Sequence, residues 1–192
     1  LPDFVIVRER EIFFPGQFGR WVPDESWNKK CEKDHSRLFR KCKRALAKIK
    51  DHVEANTNAR WVSVEGDAAG IVSSTEEEMD DILRIIENLT LHSDLTFERN
   101  SIYLRFSHRA YRKGSCLQEA AKRWGLECDK ILAIGDNHND LSMLQPEICE
   151  ACGCPANAIQ EVRDYVTERG GKVAANPGSI GVMEVMKHYF DQ

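Results

Sequence analysis

The sequence predicts an α/β protein whose pattern of strands and helices changes along the chain. Residues 24–107 alternate helix, hairpin, helix and hairpin, which describes two successive αββ units. In the last third of the chain, strands and helices alternate instead, and residues 131–134 form the continuous apolar run of a strand buried on both faces. We therefore expect an αββαββ unit followed by a doubly wound α/β layer.

The first 24 residues predict two short strands and a loop. An apolar run at 4–7 is typical of a buried strand, and the run at 11–14 predicts a second strand or sheet edge. Residues 15–24 contain two glycines and two prolines, so they are predicted to form a loop.

The αββαββ unit is predicted from its apolar spacing. Apolar residues recur every three or four positions along a helix from about 24 to 55, and a second such helix starts near Ser74. Alternating apolar residues predict hairpins over 60–73, with the turn at Gly66, and over 94–107. The unit should therefore be a small sheet carrying two helices.

The last third of the chain predicts a doubly wound layer. The predicted helices cover 117–125, 139–144, 156–163 and the segment after Gly178, and the predicted strands cover 129–135, 148–152 and 165–167.

Composition excludes several classes of protein. The 192 residues are 42% hydrophobic and carry a net charge of −4, which fits a folded protein and lacks the basic footprint of a nucleic-acid binder. A Lys/Arg-rich run at 37–50 is better interpreted as the solvated face of a helix. No apolar run reaches the ~20 residues of a membrane span, and no signal peptide opens the sequence. The seven cysteines show no paired framework, so reduced thiols and a cytoplasmic location are expected.

The strongest motif follows the apolar strand at 131–134. The strand ends at Gly135 and delivers Asp136 and, four residues later, Asp140, at the edge where open α/β sheets bind ligands. Asp136 is a hard oxygen ligand suited to Mg²⁺, Asp140 can orient a neighbouring ligand, and Asn139 offers an amide to an anion. The alternative is that Asp136 merely caps the following helix.

A second candidate is Lys113, which stands before a predicted helix. An ammonium beside a helix N-terminus is suited to phosphate, although a solvated lysine at such a position is also common.

Taken together, Lys113-Gly114, a helix and the stretch 134–144 resemble the third and fourth motifs of the haloacid dehalogenase-like phosphatases. The resemblance is to the branch of sucrose-phosphate phosphatase and the Cof-type sugar phosphatases. That branch carries an αββαββ cap, which 24–107 would match, on a Rossmann-like core. The resemblance therefore implies a core segment over 1–14, an inserted αββαββ cap domain over 15–108 and the C-terminal part of the core over 109–192. The resemblance implies a Mg²⁺-dependent phosphomonoester hydrolase acting on a sugar phosphate or a similar small phosphorylated metabolite.

The resemblance also implies roles for single residues. Lys113, Asp136 and Asp140 would act in catalysis, with Asp136 and Asp140 at the Mg²⁺ ion. Lys113 and Asn139 would bind the phosphate. The nucleophile of the family is an aspartate in an Asp-x-Asp motif, and that motif does not occur in the 192 residues. We therefore expect a protein represented without its nucleophile segment, inactive as this chain alone. The alternative is a catalytically silent relative that binds a phosphorylated ligand or a partner enzyme.

Three cysteines leave one further alternative open. Cys149, Cys152 and Cys154 are spaced as in zinc sites, for which His108 or His138 could complete a ligand set. Cysteine is also a common small buried hydrophobe, and this structural interpretation is favoured.

Overall fold

The computed structural model describes residues 2–63 and 69–191, and they form two compact units. The first unit combines Leu1–Asp24 with Arg112–Gln192, and the second is Glu25–Tyr111. These boundaries differ from the expected 14/15 and 108/109 because the chain continues to pair within the first unit as far as residue 23. Strands and helices are both present, as the predicted α/β class requires.

The first unit opens with an antiparallel meander, whose strands are β1 (Val5–Val7), β2 (Glu11–Pro15) and β3 (Trp21–Pro23). The loop expected over 15–24 is therefore wrong in part, since it contains a 3-10 turn and then β3. Pro23 ends β3, where the missing N–H of proline is tolerated. The meander packs on the helix that follows it in this unit, because Trp124 contacts the rings of Phe4 and Phe14 at centroid distances of 5.3 and 5.4 Å.

The second unit has the predicted αββαββ order. Its elements are α1 (Glu25–Asn56), β4 (Arg60–Val62), β5 (Gly70–Val72), α2 (Glu76–Glu87), β6 (Leu95–Asn100) and β7 (Tyr103–His108). The four strands form one antiparallel sheet in the order β4-β5-β7-β6. Its core joins apolar residues of both helices to buried strand residues such as Phe106. The turn predicted at Gly66 lies outside the described residues.

The rest of the first unit is a parallel layer with helices. Its elements are α3 (Lys113–Arg123), β8 (Leu132–Ile134), β9 (Ala151–Cys154), α4 (Gln160–Glu168), β10 (Lys172–Val173) and α5 (Gly178–Phe190). The strands are parallel in the order β10-β9-β8. Their core contains Cys149, which precedes β9, and Cys152 and Cys154 within β9.

Several details of this layer differ from prediction, among them the strand expected at 129–135, which covers only Leu132–Ile134. The strand expected at 165–167 is wrong, because those residues lie in α4. The fully buried Val162 and Val166 are one helical turn apart, a spacing hidden by the β-branched residues around them. The strand expected at 148–152 begins only at Ala151, and the helix expected at 139–144 is a 3-10 turn at His138–Asp140 followed by further turns.

Across the described ranges 2–63 and 69–191, every helix is too short or too polar to cross a membrane.

Candidate active site

Asp136 stands just beyond the carboxyl end of β8. The N–H of Gly135 still bonds to the carbonyl of Gly153 on β9 at 3.2 Å, and the chain then leaves the sheet with Asp136 exposed. A Cβ atom on Gly135 would lie 2.4 Å from Cβ of Asp140. Glycine at this position therefore allows the side chain of Asp140 to fold back against the end of the strand.

The carboxylate of Asp140 is held by three donors. Its Oδ2 accepts the backbone N–H of Asp136 at 2.8 Å and that of Asn137 at 3.1 Å, and its Oδ1 accepts Nζ of Lys113 at 2.5 Å. The side chain is only 6% exposed. Asp140 thus fixes the loop after β8 and binds the lysine, and its contribution as a direct metal ligand stays a prediction.

Lys113 reaches Asp140 because the start of α3 packs tightly on the turn after Asp140. The N–H of Gly114 donates to Oγ of Ser142 at 3.2 Å, and a Cβ on Gly114 would lie 2.0 Å from the carbonyl oxygen of Ser142. Only a residue without a side chain permits this approach. The alternative of a solvated lysine does not hold, since Lys113 is paired and its side chain is 28% exposed.

The environment of Asp136 disfavours its negative charge. The residue is exposed as a whole, but partial desolvation of its carboxyl raises the pKa above the usual value. The neighbouring Asp140 raises the pKa further, while the ammonium of Lys113 opposes both effects. An arrangement that penalises this charge gains from a cation placed beside it.

Asn139 is buried, with 3% of its surface exposed, and its two polar atoms differ in their surroundings. Its Nδ2 donates to the carboxylate of Glu9, whereas its Oδ1 has no hydrogen-bond partner among the described residues. An unpartnered buried oxygen in the same turn as Asp136 and Asp140 fits a site for an oxygen-preferring cation. Mg²⁺ in proteins commonly uses one or two carboxylates and completes its shell with water or a phosphate.

Sequence reasoning missed Glu9, which lies in the tight turn between β1 and β2. Its Oε1 lies 4.0 Å from Nζ of Lys113 and accepts a hydrogen bond from Nδ2 of Asn139. Both Arg8 and Glu9 adopt positive φ angles, of 51° and 63°, which non-glycine residues rarely adopt. The available signal was the charged run at 8–11 between two apolar strands.

The structure therefore assembles the four predicted site residues, Lys113, Asp136, Asn139 and Asp140, and adds Glu9. The site does not extend to Cys149, Cys152 and Cys154, which are buried free thiols whose pKa values are raised by burial. Within residues 2–63 and 69–191, no group of three or more Cys, His, Asp or Glu side chains is placed to hold a metal ion, so geometry gives no support to the zinc alternative.

The strand β8 has an open edge next to this site. Among the described strands, β8 pairs with β9 alone. Because the Ile131 carbonyl and the Gly135 N–H both bond toward β9, the main-chain groups of Leu132 and Ile134 point to the open side. An apolar groove of about 430 Å³ lies there, lined among others by Phe4, Leu117, Ile131, Ile134, Met186 and Phe190.

Comparison with known proteins agrees with this geometry. The profile of a family described as haloacid dehalogenase-like hydrolases matches residues 4–177. A phosphoglycolate phosphatase from Thermoplasma acidophilum is 38% identical over 64 residues, which are 32% of this chain and 28% of that protein.

Solved structures share the fold over nearly the whole chain. A sucrose-phosphatase from Synechocystis, in complex with sucrose and phosphate, has a TM-score of 0.70 at 16% identity, covering 98% of this chain and 74% of its own. A haloacid dehalogenase-like hydrolase from Bacillus subtilis has a TM-score of 0.58 at 16% identity, covering 100% of this chain and 70% of its own. With the family profile extending over most of its length, this chain belongs to the haloacid dehalogenase-like hydrolases.

Proposed function

We propose that the protein is a cytoplasmic, Mg²⁺-dependent phosphomonoester hydrolase acting on a sugar phosphate or a similar small phosphorylated metabolite. The observation that carries the proposal is the ion pair of Lys113 with Asp140, 2.5 Å long, beside Asp136 at the carboxyl end of β8. This arrangement places the ammonium of Lys113 and the carboxylate of Asp136, whose negative charge is disfavoured, at the edge where α/β sheets bind ligands.

Each residue has a distinct part in the proposed reaction. Lys113 and Nδ2 of Asn139 bind phosphoryl oxygens, and Lys113 stabilises negative charge as it develops there. Asp140 holds that ammonium in place and keeps the loop of Asp136 folded. Asp136, together with Oδ1 of Asn139, would hold Mg²⁺, which supplies further positive charge to the phosphoryl oxygens when it is bound.

The nucleophile is proposed to come from outside the 192 residues, which contain no Asp-x-Asp motif. A strand added in parallel along the open edge of β8 would end beside Asp136, because the carboxyl ends of parallel strands meet at one edge. The groove there would receive the apolar side chains of such a strand. A carboxylate just after its end would face Lys113 and the metal.

The proposed substrate class takes support from the relatives. The phosphoglycolate phosphatase and the sucrose-phosphatase both carry a phosphatase name, and the latter was solved with sucrose and phosphate. The seven free cysteines support a reducing compartment.

The test compares residues 1–192 with a protein that also includes the proposed nucleophile strand, using p-nitrophenyl phosphate and hexose phosphates with Mg²⁺. We expect no turnover by residues 1–192 and Mg²⁺-dependent turnover by the longer protein. In the longer protein, Lys113→Met should lower turnover about 100-fold or more. The control Lys122→Met, on an exposed side chain in the last turn of α3, should leave it unchanged. Robust hydrolysis by residues 1–192 would contradict the assignment of the nucleophile.

A catalytically silent phosphate-binding protein is the second candidate, favoured by the missing motif alone. It would bind inorganic phosphate through Lys113 both in residues 1–192 and in the longer protein, and it would hydrolyse none of the substrates.

A further inference from the structure

Glu9 brings a negative charge to the two donors assigned to phosphate. Its Oε1 accepts the amide of Asn139 and lies 4.0 Å from Nζ of Lys113, so one carboxylate oxygen faces both donors. The carboxylate is largely sheltered, with 23% of the side chain exposed. This is the kind of contact that an oxygen of a phosphate would make.

The turn that carries Glu9 is held in an unfavourable conformation. The N–H of Arg10 bonds to the carbonyl of Val7 at 3.2 Å, which closes a tight turn with Arg8 and Glu9 at its centre. Positive φ at both central residues is typical of type I′ hairpin turns, where Asn and Gly are favoured over long charged side chains. Strain of this kind persists where surrounding contacts over-determine the conformation.

Contacts from α3 and the turn after β8 hold Glu9 in this position. Sγ of Cys116 donates to the carbonyl oxygen of Glu9 at 3.5 Å, and Asn139 binds its carboxylate. The turn is therefore fixed through both the backbone and the side chain of the same residue. A strained residue fixed in this way points to a role at the site rather than to a simple connection between strands.

We propose that Glu9 is an internal anion that pairs with Asn139 and Lys113 in the absence of phosphate, and that phosphate must displace Glu9 in order to bind. This inference rests on the proposed function, because it takes Lys113 and Asn139 to be the phosphate donors. The consequence is weak retention of inorganic phosphate. The carboxylate of Glu9 repels a partly buried phosphate beside it, and the donors that phosphate needs are already bound to Glu9. Glu9 would thereby favour release of the product.

The test measures the affinity of residues 1–192 for inorganic phosphate by isothermal titration calorimetry. Glu9→Gln keeps the size of the side chain and its ability to accept the amide of Asn139, but removes the charge. We expect it to bind phosphate at least tenfold more tightly than the unchanged chain. Equal or weaker binding by Glu9→Gln, including no binding by either protein, would overturn the proposal.

Two further variants separate this proposal from the proposed function. Glu11→Gln makes the same change of charge in the same hairpin, at a carboxylate paired with Arg8 at 3.6 Å, and should leave phosphate affinity unchanged. An equal gain in Glu11→Gln would show a general charge effect and refute the role of Glu9. Lys113→Met should reduce binding at least tenfold in the Glu9→Gln background. If it does not, the phosphate site itself is misplaced and the proposed function fails, whereas a loss in Lys113→Met without a gain in Glu9→Gln refutes Glu9 alone.

Discussion

Replacing Gly114 by alanine tests whether the close approach of α3 to the turn after Asp140 builds the site. The new Cβ would lie 2.0 Å from the carbonyl oxygen of Ser142 and 2.6 Å from its carbonyl carbon. Both are backbone atoms, so no side-chain rotation relieves the overlap. The two segments must separate by about 1.4 Å to restore ordinary van der Waals contact.

The expected loss of stability follows from three effects. Overpacking against backbone costs about 3 kcal/mol, and the stretched Lys113–Asp140 ion pair costs about 1 kcal/mol more. The better helix propensity of alanine offsets about 1 kcal/mol, so the net destabilisation is about 3 kcal/mol. For a chain of this length, the melting temperature should fall by about 6–12 °C.

The assay is thermal unfolding followed by circular dichroism, with two comparisons. Gln118→Ala, on the exposed face of the same helix, should change stability by less than about 0.5 kcal/mol. Ser142→Ala removes the hydroxyl but keeps the carbonyl, so it should not rescue Gly114→Ala. An unchanged or raised melting temperature in Gly114→Ala would refute the reasoning, because propensity alone predicts stabilisation.

Two carboxylate substitutions and one pH titration have expected outcomes. Asp140→Asn should lower the melting temperature because Asp140 accepts three hydrogen bonds. Asp136→Asn should keep the fold and weaken Mg²⁺ binding more than about tenfold, measured by calorimetry. A lower melting temperature in Asp136→Asn than in Asp140→Asn would contradict the assigned parts. Burial, and then the hydrogen bond to Asp34, raise the pKa of Tyr111 to about 12. The stability that this shift contributes is complete below the pKa of a free tyrosine, about 10, and is lost as pH rises through about 12. In an ultraviolet titration, the absorbance change near pH 12 should therefore fall in Tyr111→Phe and stay the same in Tyr103→Phe, where the replaced side chain is exposed. An unchanged titration curve in Tyr111→Phe would refute the assignment.

The sequence determined those features that depend on neighbours along the chain. Helical spacing predicted α1 and α2, alternation predicted the hairpin of β6 and β7, and the apolar run before Gly135 predicted a parallel strand followed by acidic ligands. Local pattern did not resolve α4, because residues 165–167 contain β-branched and aromatic side chains that also suit a strand; the burial of Val162 and Val166 in the core selects the helix.

Only the tertiary structure decided how the candidate site is assembled. Lys113 and Asp140 are 27 positions apart, and their ion pair depends on the contact of Gly114 with Ser142, which no periodicity encodes. The part of Glu9 was equally hidden, since it lies 130 positions from Asn139 and reaches it through a strained turn. Spacing along the chain fixes which residues share a strand or a helix face, because backbone geometry repeats locally. Which of these faces meet is set by packing of the whole unit, and that is where the charges of this site acquire their partners.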